Sequence, residues 1–486
     1  MDRRDFSRLL LGAAGALALP ARAAEAPPWA LGFAALQADA EPLAMTVQGR
    51  LPAGLRGSFY RNGPAGHAPG GVRYHHWFDG DGLMQRYALG PAGITHHARF
   101  VRTPKFVAES AAGRPLRRAF GTNPANADPV NTADSMNAAN TSVLPFGGEL
   151  LALWEGGSAM RLDAQTLQTR GFKDWSPETT GLPFSAHPRV ERDGSVWNFG
   201  IAAMQGLLVV WRIGADGRLA QAVTLPVPQL PMVHDFAVTE RHLVFLLPPF
   251  VFERTRFEEG ATFLGSHEWR PGLGLRGLVL PKDRLDAPRW FELPAAFVFH
   301  IGNAWDDGAT LRLDCMRSPD AWHATAGLEQ AMAGRYTPHE HARLMQVALD
   351  LGSGTARQVL LPQTAEFPRI DPAVTGRRHR QLFMASRIDA GDRPGHDAVT
   401  RLDLDSGRAD TWRYGADVVV EEHVFVPRPG ATREGDGWLV GTALDLAKRQ
   451  TLLAVFDAGR VAAGPLMQAT MARAMPLGLH GAFVAA

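Results

Sequence analysis

Short apolar runs separated by turns rich in Gly, Asp and Pro are the recurring pattern along the chain. "GELLALWEGGSAMRLDAQTLQTRG" reads as strand, turn, strand, and then a polar turn led by Asp163. The device returns in "ARLMQVALDLGSGTARQVLL", "AVTRLDLDSGRADTWRYG" and "TLLAVFDAGRVAAGPL". Each is a strand that ends in an Asp, a Gly-containing turn and a second strand, which is the signal of a β-hairpin. Helical periodicity is confined to a few places, chiefly "AGLEQAMAGRYTPHEHARLM". "PPFVFERTRFEEGATFLG" predicts a loop or helix lying over one face, with Phe250, Phe252, Phe257 and Phe263 placed in the core, at the mouth of an apolar cavity, or against a membrane surface. Many hairpins without βαβ alternation favour a closed all-β design, and a β-propeller protects its strand edges over such a length. Two β-sandwich domains are the alternative. No Gly/Ser-rich linker or composition break divides the chain, which weighs against them.

The 486 residues are 45% hydrophobic and 20% charged, enough to bury a large core and unlike a disordered chain. The 51 glycines and 35 prolines suit a turn-rich fold. A net charge of +1 without long Lys/Arg runs gives no nucleic-acid footprint. The single cysteine, Cys315, excludes an intrachain disulfide. The N-terminus, "MDRRDFSRLLLGAAGALALPARA", pairs Arg3 and Arg4 before an apolar stretch too short to span a bilayer, and ends in a small-x-small pattern. This predicts a twin-arginine-type signal peptide over residues 1–26, export to the periplasm, and a partnership with the twin-arginine machinery. An ordinary secretory signal is the alternative. The twin-arginine route carries folded proteins, which agrees with the lack of paired cysteines. Residues 27–486 are then one domain.

Candidate chemistry starts with "YHHWFDGDGLMQRYAL", where His75, His76, Asp79 and Asp81 invite a metal reading. A calcium loop fails, because its next ligand position would be Leu83 and its last Gly90. His75 and His76 would face opposite sides of a strand. The stretch is therefore expected to be a hairpin with Trp77 and Phe78 as packing residues. Most of the 17 histidines lie in polar loops, but His187, His234, His300 and His480 sit at the edges of apolar runs beside turn-formers or carboxylates. They fit no zinc-finger or H-E-x-x-H spacing. On composition each is equally readable as a buried, hydrogen-bonded histidine, and spacing alone does not bring them together.

Here the sequence resembles the carotenoid cleavage oxygenases, a family that includes apocarotenoid, epoxycarotenoid and lignostilbene-cleaving enzymes and the retinoid isomerase of the eye. Matching segments run through most of the chain: "GSFYRNGPAG", "YHHWFDGDGLM", "FVRTPKFVAES", "AANTSVLPFGGELLALWEGG", "SAHPRV", "MVHDFAVTE", "FVFHIGNAW", "AEFPRID", "EEHVFVPRPG" and "LGLHGAF". The resemblance implies a seven-bladed β-propeller with helices and loops doming one face. It implies one non-haem Fe(II) on the propeller axis, held by His187, His234, His300 and His480. It also implies that Glu155, Glu366 and Glu422 accept the second ring N–H of the ligands. Glu421 is adjacent, and Glu422 is chosen by register with "HVFVP". Imidazole suits ferrous iron; neutral ligands leave the site at a net charge of about +2, and open coordination positions remain for dioxygen as co-substrate.

The implied reaction is oxidative cleavage of a conjugated C=C bond to aldehyde or ketone products, with no amino-acid nucleophile. A small apolar polyene would need an aromatic tunnel, for which Phe100, Phe106, Phe250, Phe263 and Trp269 are candidates. Lignostilbene-cleaving relatives hold a phenol with a tyrosine and a lysine. The loop "RRAFGTNPANADPVNTADSMNAANTS" has no lysine, and Phe100 stands at the expected tyrosine position. A carotenoid or apocarotenoid is therefore the first expectation, and a stilbene or phenylpropanoid the second. A propeller that only binds an apolar ligand is the third. Membrane contact, expected because carotenoids reside in lipid, would be peripheral.

Overall fold

The computed structural model describes residues 26–130 and 132–486, so the signal-peptide reading falls outside the described residues except at Ala26. Its strands form a seven-bladed β-propeller. In blade 2 the order from the axis outward is Ser142–Phe146, Glu149–Leu153, Met160–Leu162 and Thr169–Phe172. Blades 3 and 4 repeat it from inner strands Arg189–Val190 and Phe236–Val238. Blades 5 and 6 share one long strand, Ala356–Arg369, which is outermost in blade 5 and innermost in blade 6. Blade 7 starts at Val418–Pro427, and blade 1 has Gly481–Ala485 innermost. The ring is closed by the N-terminal strands: Ala40–Ala44 is outermost in blade 1, and Thr46–Gly49 is outermost in blade 7.

Each blade packs on two neighbours, so the apolar core is divided among the seven blade interfaces. Phe59 and Tyr87 of blade 1 meet Trp438 and Val440 of blade 7; Leu151 and Leu153 of blade 2 meet Trp211 of blade 3; Phe199 of blade 3 meets Phe245 of blade 4. A strand buried on both faces reads as a continuous apolar run, not an alternation. The turns between strands follow from the Asp residues that end them. Asp350 Oδ1 accepts hydrogen bonds from the N–H groups of Gly352 (2.7 Å) and Ser353 (3.0 Å). Asp163 and Asp403 do the same for Thr166 (2.8 Å) and Ser406 (3.0 Å). These side chains mimic a backbone turn and fix each hairpin locally.

Two local expectations are corrected. The double Asp-Gly stretch is not a hairpin turn. Trp77–Asp79 is a 3-10 turn capped by His76, and Asp81 begins the strand Asp81–Gly90. The hairpin turn lies further on, between Gly90 and Gly93. Asp79 is turned inward, accepting from Gly121 N (2.8 Å), and Asp81 pairs with the buried Lys105 at 2.9 Å. In "AGLEQAMAGRYTPHEHARLM" helix covers only Ala326–Met332, and Arg343–Asp350 is a strand. Gly334 at φ 69° turns the chain out of the helix. The phenylalanine-rich segment does form a cap, with strand Phe250–Phe252, the short helix Arg254–Glu258 and strand His267–Trp269. No helix among the described residues is long and apolar enough to cross a membrane.

Candidate metal centre

The innermost strands carry the site. His187 lies two residues before the inner strand of blade 3, and His234 two before that of blade 4. His300 is inside Phe297–Asp307, the inner strand of blade 5, where the pairing register slips between Val298 and Ile301. His480 immediately precedes the inner strand of blade 1. One ligand nitrogen from each falls within 4.8 Å of the others. The Nε2–Nε2 separations are 3.0 Å for His187–His234, 3.3 Å for His234–His300 and 3.2 Å for His300–His480.

The glutamates fix which nitrogen points inward. His300 Nδ1–H donates to Glu366 at 2.6 Å and His480 Nδ1–H to Glu422 at 2.8 Å. His234 Nδ1–H donates to Glu155. Glu421, the neighbour of Glu422, instead binds Arg61 (3.0 Å) and Gly478 N (2.6 Å). His187 has no glutamate; its Nδ1 is 4.0 Å from Asp235. Asp235 is itself held by Arg189 at 2.7 Å and by Ile301 N at 2.8 Å.

The electrostatics separate Glu422 from Glu366. Burial opposes the charge on Glu422, but Arg369, at 2.8 Å, and His480 outweigh it and hold the carboxyl well below the usual range. Burial pushes Glu366 up to about 8, against the smaller opposing effects of Phe367 N–H and nearby histidines. Burial, then the neighbouring imidazoles, drive His187 well below its ordinary value. Burial lowers His300 to about 3, and it lowers His480 to about 4 against the pull of Glu422. His234 moves up: burial opposes its charge, but Glu155 overcomes burial.

These residues fit a metal ion. With Nδ1 protonated and bonded to a carboxylate, a neutral imidazole presents a bare Nε2 lone pair. Such lone pairs packed 3.0–3.3 Å apart repel unless a cation lies between them. Metal–imidazole bonds of about 2.0–2.1 Å place neighbouring ligand nitrogens about 3 Å apart. Imidazole is a ligand for iron, zinc, copper and nickel alike, so the donor set alone leaves the metal open.

The centre faces a cavity of about 840 Å³ with largely apolar walls that include many aromatic rings. Phe299 sets its edge on His234 (5.0 Å between centroids), and Phe367 lies 5.3 Å from His300. Of the residues expected in a tunnel, Phe263 is on the cavity wall, beside Phe252 (5.6 Å) and Phe120 (5.8 Å). Phe250 and Trp269 stand one layer behind, in the cluster that backs the wall. Phe100 and Phe106 are not in the cavity. They stack on each other at 5.2 Å in the core between blades 1 and 7. Phe100 therefore says nothing about phenol binding, whereas the lysine-free loop does line the cavity, through Phe120, Thr132 and Met136.

Asp235, Arg369, Phe299, Phe367 and Trp154 escaped the sequence reading. Asp235, Phe299, Phe367 and Trp154 each adjoin a site residue in sequence, which was the available signal.

Fold and centre together are those of a propeller with an all-histidine site, and the chain belongs to the carotenoid cleavage oxygenase family. The family profile, described as RPE65, retinal pigment epithelial membrane protein, matches residues 33–485. The family comprises non-haem iron oxygenases that cleave carotenoids, apocarotenoids and stilbenes. The chain is 28% identical to the apocarotenoid-15,15'-oxygenase of Synechocystis sp., over 94% of this chain and 96% of that protein. It is 29% identical to the isoeugenol monooxygenase of Pseudomonas putida, over 91% and 95%. The solved structure of cobalt-substituted Synechocystis ACO superposes with a TM-score of 0.84 at 25% identity, covering 94% of this chain and 98% of that one.

Proposed function

We propose that this protein is an Fe(II)-dependent oxygenase that cleaves a conjugated C=C bond of a carotenoid or apocarotenoid into two carbonyl products. The observation that carries this reading is the convergence of four imidazoles, three anchored by glutamates, onto an aromatic cavity large enough for an elongated polyene. The apocarotenoid-15,15'-oxygenase among its relatives supports the substrate class.

Iron(II), when bound, would supply the activation of dioxygen whose two atoms end in the two carbonyl fragments. The protein's own part is geometric and electrostatic. Glu155, Glu366 and Glu422 hold the imidazole tautomer and ring orientation. Phe299 and Phe367 wall the centre and exclude water from it. Arg369 keeps Glu422 ionised whether or not a metal is present. Cys315 is fully buried in the core between blades 4 and 5, so it offers no nucleophile to the cavity.

A phenylpropanoid or stilbene is the second reading, favoured by the similarity to an isoeugenol monooxygenase. Anaerobically purified protein is expected to carry about one iron at the four-histidine centre. In air it should convert an apocarotenal to shorter aldehydes identified by mass spectrometry. Iron-loaded protein that cleaves hydroxystilbenes or phenylpropenes but no polyene would put the second reading first. On the same proposal the chain acquires its metal before twin-arginine export, and recovery of the protein from the cytoplasm alone would exclude that step.

A further inference from the structure

The cavity has a polar end at His396, His341 and Tyr336, which all line it. The Phe367 ring lies 6.1 Å from His396 and 5.5 Å from His480, so it neighbours both this end and the centre. His396 makes its hydrogen bonds through its backbone carbonyl, to Val420 N (2.9 Å) and Arg393 (3.5 Å), which leaves both ring nitrogens open to the cavity. The Tyr336 hydroxyl accepts from Arg387 Nη2 at 3.3 Å and lies 3.2 Å from His341 Nε2. Burial, followed by repulsion from neighbouring cationic and imidazole groups, lowers both His341 and His396 to about 3, so both rings are neutral at physiological pH.

A hydrocarbon filling this end would leave the ring nitrogens of His396 and Nδ1 of His341 without partners, while Tyr336 and His341 Nε2 keep each other, and unpartnered polar groups are costly in an apolar site. A neutral imidazole offers one donor and one acceptor. A carboxylate can use only the donor, and an ammonium only the acceptor. A hydroxyl uses both. Resting on the function proposed above, we propose that Tyr336, His341 and His396 form a recognition site for a ring hydroxyl at one end of the substrate. By anchoring that hydroxyl, the site selects which double bond lies at the four-histidine centre. The hydroxyl has two sources, an alicyclic alcohol on a polyene or a phenol on a stilbene.

Two matched pairs of ligands test this: an apocarotenal with and without a ring hydroxyl, and a stilbene with and without a phenolic hydroxyl. Affinity is read from quenching of tryptophan fluorescence, since Trp77, Trp154 and Trp322 line the cavity. Turnover and product masses are read separately on the iron-loaded protein. In at least one pair the hydroxylated member should bind roughly tenfold more tightly. That ratio should fall to about twofold or less in both Tyr336→Phe and His396→Leu, and the products of the hydroxylated substrate should spread to neighbouring cleavage positions. The pair that shows the preference identifies the source of the hydroxyl. Equal affinity within both pairs, or a preference that survives both substitutions, overturns the inference. If nothing is turned over, the function proposed above fails, while the affinity ratios still decide this one.

Discussion

At the residue scale, Glu366 and Glu422 make the same kind of contact to a ligand histidine but respond oppositely to their surroundings. Glu422 faces Arg369 and Gly481 N as well as His480. Glu422→Gln would leave the Arg369 guanidinium without its counter-charge, so thermal stability should drop with or without metal. Glu366 has no cationic partner of that kind, and burial raises it to about 8. A carboxyl whose folded pKa lies above its unfolded value holds its proton more tightly when folded. Glu366 therefore contributes to metal-free protein a loss of stability as pH rises from about 4.5 toward 8, opposite in sign to the effect of buried neutral histidines. Glu366→Gln should remove that contribution and leave a steeper net rise of stability with pH. Thermal melts of both variants in chelator at pH 5 and pH 8 check the contrast. Both variants should bind iron about 10–100-fold more weakly, the usual effect of losing a partner of a ligand histidine. His234→Ala removes a ligand outright and should bring iron content to background by elemental analysis. Full iron retention in that variant would remove His234 from the centre.

At the element scale, the centre depends on irregularities in strands that are otherwise regular. In Ala356–Arg369 the register slips between Glu366 and Arg369, and Phe367 sits at φ 55°. The bulge presents Glu366 to His300 and Phe367 to the cavity from consecutive positions, which an unbroken alternation would send to opposite faces. A left-handed φ disfavours any residue with a Cβ, by about 1–2 kcal/mol. Gly is ordinarily worse than Ala within a strand. Here the order should reverse: Phe367→Gly should melt above Phe367→Ala, although both lose the ring's packing. Equal melting temperatures, or Ala above Gly, would mean that the bulge relaxes when the ring is removed. The same contrast explains what the sequence could reveal. Turns closed by their own Asp, as at Asp163, Asp350 and Asp403, are local events and were legible as hairpins. Asp79 and Asp81 looked alike on paper, but their partners are Gly121, Thr122 and Lys105, brought in by a distant segment. Phe100 and Phe106 were misplaced for a related reason: Phe100 ends the strand Gly93–Phe100 and Phe106 lies on the helix Pro104–Ala112 that follows it, and tertiary packing turns both toward blade 7 instead of the cavity.

At the scale of the whole molecule, closure of the ring is what gathers residues from His187 to His480 into one site. That convergence was legible only through resemblance, because no spacing along the chain encodes it. The same closure buries other histidines between blades and beneath the dome. His67, His76 and His96 are fully buried, and His267 and His423 nearly so. Burial is the leading cause of lowering in each, to about 3 for His67 and His96 and to about 4 for His76, His267 and His423. The unfolded chain takes up these protons near pH 6.5, whereas the folded chain refuses them until pH 3–4. The unfolded state thus binds more protons across that window, and stability must fall as pH falls through it. Each such histidine contributes up to about 1.4 kcal/mol per pH unit. Because several act together, the melting temperature should drop steeply between pH 6.5 and pH 5, in chelator as well as with metal bound. His67→Asn should make that slope shallower whatever it does to stability at pH 7.5, since both ring nitrogens of His67 are buried without partners. A melting temperature constant from pH 7 to pH 5 would mean that these histidines are not held neutral by the fold.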